Sequence, residues 1–184
     1  MLLTACQNFK KTQLVLFESL SFGMPEKSFQ EVFGEASEVV EETEMAYRDA
    51  WRAEDPYFYK TGRLFYDYEN ITLNGYTGRA RFTFSKSHRL EKATVHIPVA
   101  SKGEQQVVLN NLSQTIKKEI EALPNFQSVT TETVGLYDNG YRYKVKLKGQ
   151  RKELRVDVYP TEDEDAKEIE AKKYTIRVDQ FRMH

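Results

Sequence analysis

The chain has 184 residues, 40% of them apolar and 30% charged, with 27 basic against 28 acidic side chains. That length supports one ordinary domain or two very small ones around a packed core, and the composition excludes a disordered, collagen-like or low-complexity polypeptide. A single cysteine excludes an internal disulfide framework and any zinc site built on two or more thiols, while the balanced charge of both halves argues against nucleic acid or a basic membrane-binding arm.

Residues 1–12 come first. Leu3-Thr4-Ala5-Cys6 resembles a bacterial lipobox, in which a small-residue stretch precedes a cysteine that receives a diacylglycerol and becomes the first residue of the mature protein. Cys6 would be that lipid-attachment residue, followed by a polar tether from Gln7 to Thr12. A secretion signal carries a basic region and about 7–15 apolar residues before its cleavage site, and only Met1, Leu2 and Leu3 precede Thr4. The motif is therefore the end of a signal that starts upstream, which places the protein in the bacterial envelope, or a chance match in a cytoplasmic chain.

From Gln13 to Phe22 a short apolar segment reads as a strand or as the start of a helix. Gly23 to Gly34 reads as a compact helix with Pro25 in the first turn, Glu26 near its positive end, Gly34 as the stop, and Phe29, Val32 and Phe33 facing the core. Ser37 to Glu54 carries Val40, Tyr47 and Trp51 at helical spacing and predicts a second helix ending at Pro56. An antiparallel meander follows. Leu64, Tyr66 and Tyr68 alternate with Phe65, Asp67 and Glu69, Asn74-Gly75 marks a hairpin, and Ala80, Phe82, Phe84 and then Ala93, Val95, Ile97 alternate with polar residues.

After Pro98 the order begins again. Ser101-Lys102-Gly103-Glu104 has capping-box spacing, and Val108, Leu112, Ile116, Ile120 and Leu123 recur every three or four residues until Pro124. Strands follow from Val129 to Gly135, from Tyr141 to Lys148, through Leu154, Val156 and Val158, and through Tyr174, Ile176 and Val178. The expected fold is α+β: helices on one face of an antiparallel meander sheet, in two tandem helix-then-strands repeats over residues 13–98 and 99–184.

Phe22-Gly23-Met24-Pro25 with Phe29-Gln30-Glu31-Val32-Phe33-Gly34-Glu35 resembles the start of the small bacterial lipoproteins whose fold is similar to β-lactamase inhibitory protein, with Ala36 where those proteins often have proline. Thr72-Leu73-Asn74-Gly75-Tyr76, Arg79 to Phe84 and Leu90 resemble their following meander. The resemblance covers about residues 20–98. It implies a tandem helix-plus-sheet scaffold, an envelope location and a role in binding other proteins, without implying inhibition of any enzyme.

Catalytic motifs are absent from the sequence. No glycines have phosphate-cradling spacing, and neither a Gly-x-Ser-x-Gly elbow nor a His-Glu-x-x-His pair occurs. His88, His96 and His184 read as surface histidines, the acidic run Thr161 to Asp165 lacks the glycine and alternation of an EF-hand loop, and no cofactor is expected. Carboxylates are plentiful, so a small hydrolase with a carboxylate pair stays open. The aromatic residues Trp51, Tyr57, Phe58, Tyr59, Phe65, Tyr66 and Tyr68 read as core or as the lining of a small-ligand carrier. Collecting the polar side of every strand on one outer face brings together Arg79, Arg81, Lys92, His96, Arg142, Lys144, Lys146, Lys148, Arg155 and Arg177, against Asp67, Glu69, Glu153, Asp157 and Asp179. That face is expected to be locally basic, with a protein as its partner; Arg79, Arg81, His96, Arg142, Lys144, Lys146, Arg155 and Arg177 are its candidate contacts.

Overall fold

The computed structural model of the protein describes residues 13–46, 57–134, 139–162 and 174–182, with backbone alone for 44–46, 57–59 and 162. Cys6, Trp51, His184 and most of the acidic run lie outside the described residues, as do the side chains of Tyr57, Phe58 and Tyr59.

The apolar segment after residue 12 forms two short strands, β1 (Gln13–Leu14) and β2 (Phe17–Ser21), paired as a hairpin. The helix α1 spans Glu26–Phe33, with Pro25 just before its first turn as the N-cap and Gly34 as the C-cap. Residues 23–26 are laced to residues 88–90 by backbone bonds from Gly23 N to Leu90 O at 2.8 Å, Glu26 N to His88 O at 3.0 Å and Leu90 N to Met24 O at 3.0 Å. Phe29 is fully buried and Phe33 packs against the core, but Val32 is 51% exposed. Phe29 and Phe33 are four residues apart and share the face turned to the sheet; Val32 lies off that stripe, contrary to expectation.

The helix expected from Ser37 to Glu54 does not form over its described part. Glu38–Ala46 is a strand, β3, paired antiparallel with β4 (Tyr57–Leu73). β4 is 17 residues long and offers its edge backbone groups for pairing, and those groups need partners. The β-branched pair Val39-Val40 suits that pairing and outweighs the helical preference of the glutamates around it. Both valines stay exposed on the edge.

Then come β5 (Tyr76–Phe84), β6 (Leu90–Val99), α2 (Lys102–Ala122), β7 (Phe126–Val134), β8 (Gly140–Leu147), β9 (Leu154–Glu162) and β10 (Tyr174–Arg182). The β4–β5 turn has Asn74 at φ 50° and Gly75 at φ 83°, as a type I′ hairpin requires. The N-terminus of α2 is capped as expected: Ser101 Oγ accepts from Glu104 N at 3.2 Å, and Glu104 Oε2 accepts from Ala100 N at 2.7 Å.

Eight strands form one continuous antiparallel sheet in the order β3-β4-β5-β6-β10-β9-β8-β7. Each helix is followed by four strands in meander order, and the two meanders join last strand to last strand, β6 against β10. Both helices lie on the same face of this sheet. Under α1, Phe29 packs against the rings of Tyr66, Tyr68, Phe82 and Phe84 at centroid distances of 4.9–6.2 Å. Under α2, Leu109, Leu112, Ile116 and Ile120 meet the inward side chains Val145, Leu154, Val156, Val158, Ile176 and Val178, all fully buried. The β1–β2 hairpin is tied to β10, where buried Gln180 accepts from Val15 N at 2.9 Å. With the helices and the β1–β2 hairpin on one face of the sheet, the other face carries the polar side chains of the strands.

Candidate binding surface

The outer face is built by strand alternation and fixed by register. Following the paired positions across the sheet gives one row with a residue from every strand: Glu38, Asp67, Arg81, Thr94, Asp179, Asp157, Arg142 and Glu132. On one side of it run Val40, Phe65, Thr83, Lys92, Phe181, Arg155, Lys144 and Thr130, again one from each strand. On the other side lie Arg79, His96, Arg177 and Tyr159. The sequence-predicted contacts Arg79, Arg81, His96, Arg142, Lys144, Arg155 and Arg177 are thus brought onto one face, and Lys146 lies two residues along β8 from Lys144, 3.6 Å from Glu153.

The charges of this face are arranged in stripes. Glu38 and Glu132 enter the central row from the two edge strands, so that this row is acidic between two cationic ones. Strand pairing, which sequence alone does not give, decides which charges neighbour one another.

Two carboxylates anchor the pattern. Asp157 accepts from Arg142 Nε at 3.0 Å and from Arg155 Nε at 2.9 Å. Asp179, its cross-strand neighbour, accepts from Thr94 Oγ1 at 2.6 Å and Tyr159 Oη at 2.8 Å, and lies 3.0 Å from Lys92 Nζ. Arg177 Nε is 3.0 Å from the same carboxylate but is not aligned for a hydrogen bond. Both aspartates are 5% exposed. Burial alone would raise their pKa values; hydrogen bonds from Arg155 and Arg142 in one case, and from Thr94 with the charges of Lys92 and Arg177 in the other, outweigh it and hold both below the usual carboxylate range. A pair so held carries no proton at neutral pH, whereas a general acid needs a raised pKa.

Arg81 clamps Asp67 with Nε to Oδ1 at 2.7 Å and Nη2 to Oδ2 at 2.6 Å, and its guanidinium lies 5.1 Å over the Phe65 ring. Asp67 keeps the Arg81 guanidinium protonated more firmly than usual. His96 is flanked by Arg79 on β5 and Arg177 on β10. Burial, then the charges of Arg177 and Arg79, lowers its pKa to about 4. It is neutral at physiological pH and adds a hydrogen-bonding ring, not charge. A hollow of about 750 Å³ lies over this half of the face, lined by Glu38, Arg63, Phe65, Arg79, Arg81 and His96 among others.

Tyr66, Glu26 and His88 form a second polar constellation. Glu26 accepts from the Tyr66 hydroxyl and faces His88 Nδ1, and Gln30 Nε2 donates to the same hydroxyl at 3.1 Å. Burial and the Glu26 carboxylate push the Tyr66 phenol up to about 12, so it is no nucleophile at neutral pH. The contact ties α1 to the sheet. The expected aromatic cluster divides accordingly: Tyr66 and Tyr68 are core, while Phe65 stands on the outer face. Among the described residues no group of three or more His, Cys, Asp or Glu side chains could hold a metal ion, and no helix is long and apolar enough to cross a membrane.

Sequence reasoning missed Glu38, Glu132, Thr94 and Tyr159. The first sits in a segment read as helix, and the other three acquire meaning only once paired strands put Thr94 and Tyr159 beside Asp179 and Glu132 beside Arg142. Comparison of the chain with protein-family models, curated proteins and solved structures finds no match.

Proposed function

We propose that the protein is a non-enzymatic envelope lipoprotein, attached through Cys6, that binds another protein on the outer face of its eight-stranded sheet. The observation that carries this reading is the striping of that face. A polyanion or an anionic lipid surface presents one sign of charge and would have to compete with the carboxylates that already pair Arg81, Arg142, Lys144, Arg155, Lys92 and Arg177. A folded protein can present complementary stripes, and such complementarity fixes register and excludes wrong partners. The aromatic anchors Phe65, Tyr159 and Phe181 stand among the charges, as hot-spot residues do in protein interfaces.

Two other readings receive less support. For a small-ligand carrier, the described rings of Phe29, Phe33, Tyr66, Tyr68, Phe82 and Phe84 pack on one another and not around a cavity. For a hydrolase, the cross-strand carboxylate pair Asp157 and Asp179 is held ionised by Arg142, Arg155, Lys92 and Arg177.

The test uses the gene expressed with its upstream DNA in the native host. Intact mass is expected to give a chain beginning at Cys6 with added diacylglycerol. The partner retained on host membranes is expected to dissociate as salt rises and to be lost from Lys144→Glu plus Lys146→Glu. Unchanged retention and salt dependence in that variant would overturn the binding reading, and an unmodified chain beginning at Met1 would overturn the anchor.

A further inference from the structure

We propose that a second site, at the loop end of the sheet, binds a small amphipathic anion: a phosphate-type head group carrying an apolar portion. Antiparallel pairing builds it. Phe181 lies between Lys92 and Arg155, and Arg182 opposite Leu154, so the end of β10 meets both the β5–β6 and the β8–β9 connections. The lacing of residues 23–26 onto residues 88–90 brings Phe22 to the same place. An opening of about 420 Å³ results, the size of a small-molecule site.

Its walls divide by chemistry. Phe22, Leu90 and Phe181 supply an apolar floor. Five cations, Arg63, Arg89, Lys92, Lys152 and Arg182, line it against the single acid Glu91. Arg63 is 3.3 Å from Glu91, and Lys92 is committed to Asp179 on the outer face. The remaining three have no carboxylate partner among the described residues. Arg89 Nη1 donates to Gly23 O at 3.3 Å, and Arg182 Nη2 donates to Gln150 Oε1 at 2.8 Å. Arg182 Nε is buried with no hydrogen-bond partner among the described residues, an uncommon condition. Ser85 and Ser87, with hydroxyl oxygens 3.0 Å apart, add donors at the rim.

Cations without a carboxylate partner among the described residues, set above an apolar floor, select for a ligand with both features. Bare phosphate leaves the floor wet, and an uncharged hydrocarbon leaves the cations unpaired. The shared head-group chemistry belongs to soluble organic phosphates and to anionic lipids alike.

The experiment titrates the intact protein with hexyl phosphate, inorganic phosphate and hexanol at low salt, and repeats each with Lys152→Glu and, separately, with Arg182→Gln. Lys152 is exposed, so its replacement leaves the fold intact. Hexyl phosphate is expected to bind at least tenfold more tightly than either control and to lose at least tenfold in both variants. Equal binding of hexanol, equal binding of inorganic phosphate, or undiminished binding to Lys152→Glu would each overturn the proposal. Phosphatidylglycerol vesicles that sediment the wild-type chain but not Lys152→Glu would assign the head group to a lipid. Hexyl phosphate binding without sedimentation would assign it to a soluble molecule.

Discussion

His96 and Arg177 face each other across the seam where the two meanders join, with Arg79 opposite His96 on its other side. Burial and these two cations hold the imidazole pKa at about 4, against an ordinary value of 6.5. Between those values the unfolded chain binds the proton and the folded chain does not, so stability falls as the pH drops from about 6.5 to about 4 and is unaffected by this group above that window. The loss is about 2 kcal/mol, less than the full shift implies because the ring keeps some contact with water. Urea unfolding of wild type and His96→Gln from pH 7 to pH 4 is expected to show the slope in wild type and a flatter dependence in the variant.

Asp179 gathers Thr94, Tyr159, Lys92 and Arg177. Asp179→Asn removes a buried charge and leaves Lys92 and Arg177 without their counterion, which is expected to cost about 3 kcal/mol. Arg81→Ala breaks a bidentate pair whose guanidinium is half exposed and is expected to cost no more than about 1 kcal/mol. Denaturant midpoints for the two variants give the comparison.

Phe29 is fully buried among Phe33, Tyr66, Tyr68, Phe82 and Phe84, and Val32 is half exposed on the same helix. Phe29→Ala is expected to destabilise by about 3–5 kcal/mol. Val32→Ala is expected to change stability by less than about 1 kcal/mol, since it uncovers no core. Thermal unfolding of both distinguishes this packing from one in which Val32 faces inward.

Gly78 passes so close to β6 that a Cβ there would lie 2.3 Å from the backbone oxygen of His96. Gly78→Ala must push β5 and β6 apart, because the clash is with backbone and not with a movable side chain. A loss of about 2 kcal/mol or more is expected, with hydrogen exchange fastest at the β5–β6 amides.

The period-2 strands β5, β6, β8, β9 and β10 were legible because each has one buried and one wet face, and α2 because Ser101, Glu104 and its apolar stripe agree. β3 was not. It is an edge strand with both Val39 and Val40 exposed, so no alternation marks it, and its glutamates favour helix until β4 supplies a pairing edge. Gln180 continues the alternation of Ile176 and Val178, which made its position readable but not its bond to Val15, 165 residues away in the chain. The candidate contacts were legible as members of one outer face. Their striping was not, because it depends on cross-strand register between segments as distant as Glu38 and Glu132. The loop-end opening joins residues from Phe22 to Arg182 and leaves no local signal at all.

Binding of a partner on the outer sheet face is the central proposal. A photo-cross-linking residue placed at Arg79 or Lys146 on that face, and at Lys118 on the exposed side of α2, tests it in cells of the native host. A discrete adduct that fades as salt rises is expected from the two sheet positions, and none from Lys118. Adducts of equal yield from all three positions, or from Lys118 alone, would contradict it.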